Sequence, residues 1–248
     1  SPVEAGGNGH GCGHNLLGSA AMLAATAVKD WLAAQGIKGR VRYYGCPAEE
    51  GGSAKAFMAR DGVFSDVDVA ISWHPGHFSG VWQAKSLAMS ILDFAFTGRA
   101  AHAAAAPHLG RSALDAVELM NVGVNYMREH MPDGARVHYA VLDSGGIAAN
   151  VVQAAAKVRY IVRAADIAQL KSLVGRVRKI ADGAALMTET QVQPTVIAGM
   201  SNLLGNAPLE RTMQENLMRL GPPDFSAEDR ALAKRYQDTL APEDISSA

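Results

Sequence analysis

Apolar and polar residues are arranged along the first part of the chain in a pattern that predicts helices and strands in turn. Residues 15–34 are rich in Ala and Leu, with Asn15 as a candidate N-cap, and predict a helix. Residues 41–46 and 67–73 are short apolar runs, each stopped by a proline, and predict strands on either side of a short helix at 54–60. This helix-strand-helix-strand order is typical of a parallel sheet.

The middle of the chain carries a different pattern. Charged and apolar residues alternate from Lys157 to Arg163, which is typical of a strand with one buried face. The predicted elements are a strand (88–97), a helix (111–130), two strands (136–142 and 151–163), a helix (166–187) and a strand (188–198). This β-α-β-β-α-β order predicts a ferredoxin-like α+β domain, in which two helices cover one face of an antiparallel sheet. Beyond it, Ser226 and Asp229 have the spacing of a helix capping box.

Composition narrows the classes of protein that fit. The chain has 248 residues, of which 48% are hydrophobic and 19% charged, as in ordinary globular proteins of one or two domains. A net charge of -1 provides no attraction to nucleic acid or acidic lipid, so neither is expected as a partner. Two cysteines argue against a disulfide framework and favour a reducing compartment, the cytoplasm. No run approaches the roughly 18 consecutive apolar residues of a membrane span.

Cys12 and His14 stand two positions apart in a glycine-rich run, from Gly6 to Asn15. Glycines allow the tight turns that would bring both side chains to one metal ion, and this pair of ligands suits zinc and related divalent metals. The alternative is a glycine loop that carries an ordinary buried thiol. Phosphate-loop, dinucleotide-binding and c-type haem motifs cannot be fitted here, and four-cysteine zinc sites are impossible with two cysteines.

Further polar residues follow the two predicted strands. Glu49 and Glu50 come after the first strand and His74 after the second, and the carboxyl ends of parallel strands meet at one edge of a sheet. Adjacent glutamates point in different directions, so one can hold a metal while the other takes a proton from water. The alternatives are a solvated turn for the glutamates and a structural role for His74. The occurrence of all five residues at predicted loop ends favours metal-assisted hydrolysis: Cys12, His14, Glu49, Glu50 and His74.

Several long motifs support a family resemblance. They are His10-Gly11-Cys12-Gly13-His14, Pro47-Ala48-Glu49-Glu50-Gly51-Gly52, Trp73-His74-Pro75 and the run 107–116. The chain resembles the M20 metallopeptidases and amidohydrolases, in the branch with a Cys ligand. The resemblance implies a zinc-peptidase-like α/β catalytic domain, at 1–86 and 201–248, and an inserted ferredoxin-like lid or dimerisation domain at 87–200.

The resemblance also implies roles for individual residues. Four of them correspond to ligands of two divalent ions, manganese or zinc: Cys12, His14, Glu50 and His74. Glu49 corresponds to the residue that activates water. Most of the branch has Asp where this chain has Asn15, which removes a carboxylate beside His14.

The lid domain contributes three further candidates by resemblance. His102 corresponds to a histidine that stabilises the oxyanion in the site of a partner subunit. Asn150 and Arg163 correspond to residues that hold the substrate carbonyl and carboxylate. The implied assembly is a homodimer through the lid, or a pairing with a homologous second subunit.

The resemblance implies hydrolysis of an amide bond to an amino acid, with p-aminobenzoyl-glutamate or a related aroyl or acyl amino acid as substrate. Relatives carry an Asp-centred motif before the Cys-His run and a further His ligand near their end, so the chain is interpreted as an internal fragment with an incomplete metal site. The alternative is a non-catalytic subunit or dimerisation module with a remnant site.

Overall fold

The structure, a computed structural model, describes residues 4–76, 78–82, 86–242 and 245. The chain divides into two compact units. The first comprises Ser1–Gly45, Val67–Gln83 and Gly205–Ala248. The second comprises Cys46–Asp66 and Ala84–Leu204. The sequence-based division assigns 46–66, 84–86 and 201–204 to the catalytic domain, whereas the structure places these residues in the second unit.

The second unit is built on a four-stranded antiparallel sheet. The strands are β1 (Ala88–Thr97), β2 (Arg136–Asp143), β3 (Ala155–Ala164) and β4 (Gln191–Met200), in the spatial order β2-β3-β1-β4. The helices are α2 (Ala54–Arg60), α3 (Ala113–Met127) and α4 (Ile167–Thr188), with short 3-10 turns at Pro107–Leu109 and Arg128–His130. From β1 to β4 the element order is the predicted β-α-β-β-α-β, and the strand order is that of a ferredoxin-like sheet.

One face of this sheet forms the hydrophobic core with α3 and α4. Alternate residues of β3 are fully buried against the helices, and Tyr160 is the largest of them. Its hydroxyl donates a hydrogen bond of 2.5 Å to the Oδ1 atom of Asn121 on α3, and its ring meets Phe94 edge to face. Burial raises the pKa of Tyr160 above its usual value. The hydroxyl therefore stays protonated and keeps its buried hydrogen bond.

A loop leaves β1 at Gly98 and returns to α3 at Arg111. Its base is closed by two backbone hydrogen bonds between Arg99 and Arg111, of 2.8 and 2.9 Å. The Arg111 guanidinium also binds the Glu189 carboxylate just beyond α4, with Nε and Nη2 both 2.9 Å from Oε2. A Cβ atom at position 98 would collide with the Arg111 carbonyl oxygen, so this close approach requires glycine.

Three helices make up the regular structure described in the first unit: α1 (His14–Gln35), α5 (Ala207–Leu220) and α6 (Ala227–Gln237). The sequence-based prediction of Asn15 as N-cap is wrong. Gly13 occupies that position in a left-handed conformation, with φ 74°, and its carbonyl accepts from Leu17 N. The predicted capping box of α6 is present, and hydrogen bonds from Ser226 lower the pKa of Asp229.

The predicted parallel sheet is not found among the described residues. Residues 41–46 and 67–73 lie in no strand of the described part of the chain, and the sheet found there is antiparallel and built from other residues. Between them in sequence, α2 matches the predicted short helix. The observed fold is therefore mixed α/β with an antiparallel sheet.

Apolar side chains of α1 are exposed, including Leu16, Leu23 and Trp31. By length and composition alone, α1 could cross a membrane, contrary to the expectation that no segment approaches such a length. Core helices of globular proteins meet the same criterion.

We predict that Gly98→Ala destabilises the second unit by about 1–3 kcal/mol or more, because the added methyl group forces the 98–111 loop away from its base. Chemical denaturation of the variant and the parent measures the difference. Gly134→Ala is the matched control, since a Cβ atom at that position meets no atom within 4 Å. Equal losses of stability in the two variants would contradict the packing described for Gly98.

Candidate metal and catalytic site

Cys12 and His74 meet in the first unit although they are 62 residues apart in sequence. The Cys12 Sγ atom lies 3.0 Å from His74 Nε2. The other ring nitrogen of His74, Nδ1, lies 2.8 Å from the Pro75 carbonyl oxygen. A carbonyl can only accept, so Nδ1 carries the proton and the Nε2 lone pair points at the sulfur. This is the usual state of a histidine that binds metal, with its second nitrogen held by the backbone.

His14, the first residue of α1, also lies near Cys12. A ring nitrogen of His14 is within 4.8 Å of Cys12 Sγ. Zinc lies about 2.3 Å from sulfur and about 2.0 Å from nitrogen ligands, so two such ligands of one tetrahedral ion are separated by about 3.5 Å. Cys12 therefore lies near each of two imidazoles, and a thiolate with imidazoles is a set of ligands that suits a soft or borderline divalent ion.

The loop that carries these ligands is held close to the His74 segment. A Cβ atom at Gly13 would lie 3.0 Å from Pro75 Cγ, which together with its positive φ explains the glycine. In the first turns of α1, Trp73 Nε1 donates to the Leu17 carbonyl, and Tyr43 Oη donates to the Gly18 carbonyl, each at 3.3 Å. Residues of both predicted strands therefore support the helix start that carries the candidate ligands.

Glu49 and Glu50 lie in the second unit, in a turn before α2, and both side chains are exposed. The Ala48 carbonyl closes this turn by accepting from Gly52 N at 2.8 Å and from Ser53 N at 2.9 Å. Ala48 and Ser53 both have positive φ, near 50°. A backbone bent in this way presents the neighbouring glutamates in different directions.

His102 occupies the loop between Gly98 and Arg111, where two backbone groups approach its ring. The amides of Ala104 and Ala105 donate to His102 Nδ1 at 3.2 and 3.1 Å. Because an amide N–H can only donate, Nδ1 is the unprotonated nitrogen and Nε2 of the neutral ring carries the proton. His102 therefore presents a hydrogen-bond donor to the surroundings, which suits stabilisation of a developing oxyanion.

Asn150 lies beside this histidine, whereas Arg163 does not. The Asn150 carbonyl accepts from Ala103 N at 2.9 Å, and His102 forms a bridge with Val151. Arg163 is near the far end of β3, eight residues beyond Ala155, which corresponds to about 26 Å at 3.3 Å per residue. The three candidates predicted in the second unit therefore form two groups at opposite ends of the sheet.

The groups that set the protonation of the two histidines were not predicted from the sequence. They are the Pro75 carbonyl and the amides of Ala104 and Ala105, which belong to the backbone. In the sequence, the one feature that marks these groups is their short separation along the chain: each lies within three residues of the histidine that it contacts.

Comparison with known proteins identifies the family. The sequence profile of "Peptidase family M20/M25/M40" matches residues 1–219. The chain belongs to this family. This M20 family chain is 53% identical over 242 residues to the B subunit of p-aminobenzoyl-glutamate hydrolase from Escherichia coli (strain K12), covering 98% of the chain and 50% of that relative. It is 32% identical over 228 residues to Xaa-Arg dipeptidase of Mus musculus, covering 90% and 52%.

The chain is also similar in fold to a solved structure, that of a putative aminohydrolase from methicillin-resistant Staphylococcus aureus. The TM-score is 0.54 at 14% identity, covering 73% of this chain and 51% of that one, so this likeness concerns the fold alone. The chain spans about half the length of the curated relatives it matches.

We predict that zinc or manganese protects Cys12 from thiol labelling. At a metal concentration about ten times the Kd, labelling should slow about tenfold, because only the metal-free thiol reacts. Cys46 is the internal control, followed separately in a Cys12→Ser variant, and its labelling rate should not change. His74→Ala should weaken the protection of Cys12. Unchanged Cys12 labelling, or equal protection of Cys46, would contradict the site.

We also predict that nitrogen NMR of the labelled protein shows neutral His102 as the Nε2–H tautomer, because two amides occupy Nδ1. His138 is the comparison residue, since it makes no side-chain hydrogen bond with another described residue, and it should show a mixture of tautomers. A predominant Nδ1–H form of His102 would refute this assignment.

Proposed function

We propose that the chain is part of a metal-dependent amidohydrolase that cleaves p-aminobenzoyl-glutamate, or a related aroyl or acyl amino acid, at its amide bond. The structural observation that supports this is the approach of Cys12 Sγ to His74 Nε2 at 3.0 Å, with His74 Nδ1 held by a carbonyl. The 53% identity to one subunit of a p-aminobenzoyl-glutamate hydrolase supports the choice of substrate.

The residues present fit a divalent ion, manganese or zinc. Cys12, His14 and His74 supply a thiolate and two imidazoles from the first unit, and Glu50 adds a carboxylate in the proposed ligand set. In the whole protein we propose two ions. A divalent ion bound there supplies Lewis acidity, which polarises a carbonyl and lowers the pKa of water.

Glu49 is the proposed proton carrier. It takes a proton from the attacking water as the water oxygen bonds to the amide carbonyl carbon, and it delivers this proton to the nitrogen as the carbon-nitrogen bond breaks. The products are p-aminobenzoate and glutamate, so atoms and charges balance without an oxidant or reductant. An exposed glutamate beside a proposed ligand suits this task because it need not bind the metal itself.

His102 and Asn150 are the proposed oxyanion and carbonyl contacts. Their proximity at one end of the sheet supports a joint role, and the Nε2–H group of His102 is the donor that an oxyanion requires. Arg163, at the other end of the sheet, is the proposed contact for a substrate carboxylate. Because one small substrate cannot span the sheet, we propose that His102 and Asn150 act in the site of the partner subunit, whereas Arg163 binds a different substrate molecule.

We further propose that residues 87–200 form a lid that pairs with a second chain, either another copy or a homologous subunit. Edge strand β2 supports this, because Tyr139, Val141 and Leu142 are each more than 40% exposed on it. Relatives named as the two different subunits of p-aminobenzoyl-glutamate hydrolase support a homologous partner. A chain of 248 residues with two cysteines favours a reducing compartment, so we propose a cytoplasmic location.

We predict opposite effects for two neighbouring substitutions in the whole protein. Glu49→Gln should lower kcat by a factor on the order of 10² or more with the metal content unchanged, because it removes the proton carrier but no ligand. Glu50→Gln should lower the metal content. Assays of p-aminobenzoate release and elemental analysis measure the two effects. Full turnover in Glu49→Gln would refute its role, and no turnover in a metal-loaded parent would favour the alternative of a non-catalytic assembly module.

We predict that the protein forms a dimer at micromolar concentration through β2, since an exposed apolar edge strand pairs readily with another strand. Sedimentation velocity measures the state. Val141→Lys, which places a charge on the edge, should shift the population to monomer, whereas Ile197→Lys on the opposite edge strand is the matched control. A protein that is monomeric alone but pairs with a homologous subunit would show that the partner is heteromeric.

A further inference from the structure

The second unit has an open sheet face, opposite α3 and α4, with a regular arrangement of charge. Along β3 the buried residues Val158, Tyr160 and Val162 face the helices, so Lys157, Arg159 and Arg163 face the other way. In an antiparallel sheet each of these cations has a defined neighbour on either side.

Two of the three cations have an acidic neighbour. Arg159 is opposite Asp93 of β1, and its Nε and Nη2 atoms lie 2.6 and 2.9 Å from the two carboxylate oxygens. This hydrogen bonding raises the pKa of Arg159. Lys157 is placed opposite Asp143 of β2 by the strand register. At these positions the sheet compensates its own charges.

Arg163 is the exception. Its cross-strand neighbours are Met89 on β1 and Arg136 on β2, so a second guanidinium stands where the other cations have an acid. Directly opposite residues of an antiparallel pair have Cβ atoms about 4.5–5.5 Å apart, and like charges at this distance destabilise the pair. Arg163 is half-buried and forms no hydrogen bond or ion pair through its side chain with the described residues.

Arg136 is oriented by the turn that precedes β2. Its Nη1 atom donates to the carbonyls of Asp133 and Ala135, at 2.6 and 2.7 Å. These bonds leave Nε and Nη2 available as donors. The two guanidinium groups thus offer a pair of forks with unmatched positive charge, and carboxylates are the ligands that such forks bind in two-point fashion.

We propose that Arg136 and Arg163 together bind a dicarboxylic amino acid group, with Arg163 on the α-carboxylate and Arg136 on the side-chain carboxylate. Two anionic groups match two guanidiniums, and Met89 and Ile161 provide apolar neighbours for the short aliphatic chain between the carboxylates. The assignment of the α-carboxylate to Arg163 rests on the proposed function. Arg136 would then be the residue that selects glutamyl over neutral side chains.

Calorimetry with the full chain tests this inference without requiring catalysis. The probes are glutarate, a dicarboxylate, and butyrate, its monocarboxylate counterpart. We expect glutarate to bind about tenfold more tightly than butyrate, and Arg136→Gln to remove that preference while leaving butyrate binding unchanged. Arg163→Gln should weaken both. Arg178→Gln, on the exposed side of α4, is the charge-matched control and should change neither.

A thermal melt guards against misfolding. The Tm of ligand-free Arg136→Gln should stay close to that of the parent, because relief of the like-charge contact offsets the loss of the two hydrogen bonds from Arg136 to the Asp133 and Ala135 carbonyls. The inference is overturned if glutarate does not bind the parent, or if Arg136→Gln weakens glutarate and butyrate equally or leaves both unchanged.

A parallel assay with p-aminobenzoyl-glutamate and p-aminobenzoyl-glutamine separates this inference from the proposed function. Glutarate binding that depends on both arginines, without hydrolysis of either amide, would support the dicarboxylate site and refute the amidohydrolase. Hydrolysis of both amides with equal kcat/KM, unaffected by Arg136→Gln, would support the amidohydrolase and refute the dicarboxylate site.

Discussion

Hydrogen bonds between the backbone and one nitrogen of an imidazole set the chemistry of the candidate site. A neutral histidine has one donor and one acceptor nitrogen, so a backbone group that occupies Nδ1 decides what Nε2 can do. The Pro75 carbonyl occupies Nδ1 of His74 as an acceptor, which leaves Nε2 as a lone pair facing Cys12. The amides of Ala104 and Ala105 occupy Nδ1 of His102 as donors, which leaves Nε2 with a proton. The same side chain is thereby prepared as a metal ligand in one unit and as a hydrogen-bond donor in the other.

These states require a backbone that is itself held in place. In the second unit, the base of the His102 loop is closed by the Arg99 and Arg111 backbones, and by the ion pair of Arg111 with Glu189. In the first unit, Trp73 holds the start of α1 close to the His74 segment. The glycines at 13 and 98 permit the close approaches that these contacts need. The chemistry of the candidate site therefore depends on loop packing as much as on the identity of the ligands.

The sequence predicted the elements of the ferredoxin-like sheet well, because each has a strong local pattern. Alternation in β3 predicts which face is buried, and the residues on that face are the ones buried in the hydrophobic core. The runs 41–46 and 67–73 show the limit of this reasoning, since apolar composition predicts burial but not the identity of a pairing strand. The N-cap of α1 lies two residues before the predicted Asn15, because Gly13 in a left-handed conformation takes the place of a side-chain cap.

Long motifs made the family predictable, and the profile match to residues 1–219 confirms it. The site residues taken from the same motifs stay predictions. The Nδ1 partners of His74 and His102 were not predictable, because backbone groups leave no composition signal. The position of Arg136 opposite Arg163 likewise depends on strand register, which no single residue reveals.

A measurement of water incorporation tests the central claim of amide hydrolysis most directly. With added manganese or zinc and p-aminobenzoyl-glutamate in oxygen-18 water, the whole protein should release p-aminobenzoate carrying one labelled oxygen in its carboxylate, and a chelator should abolish the release. Unlabelled product, or product formed equally well with the chelator present, would contradict hydrolysis by a metal-dependent site.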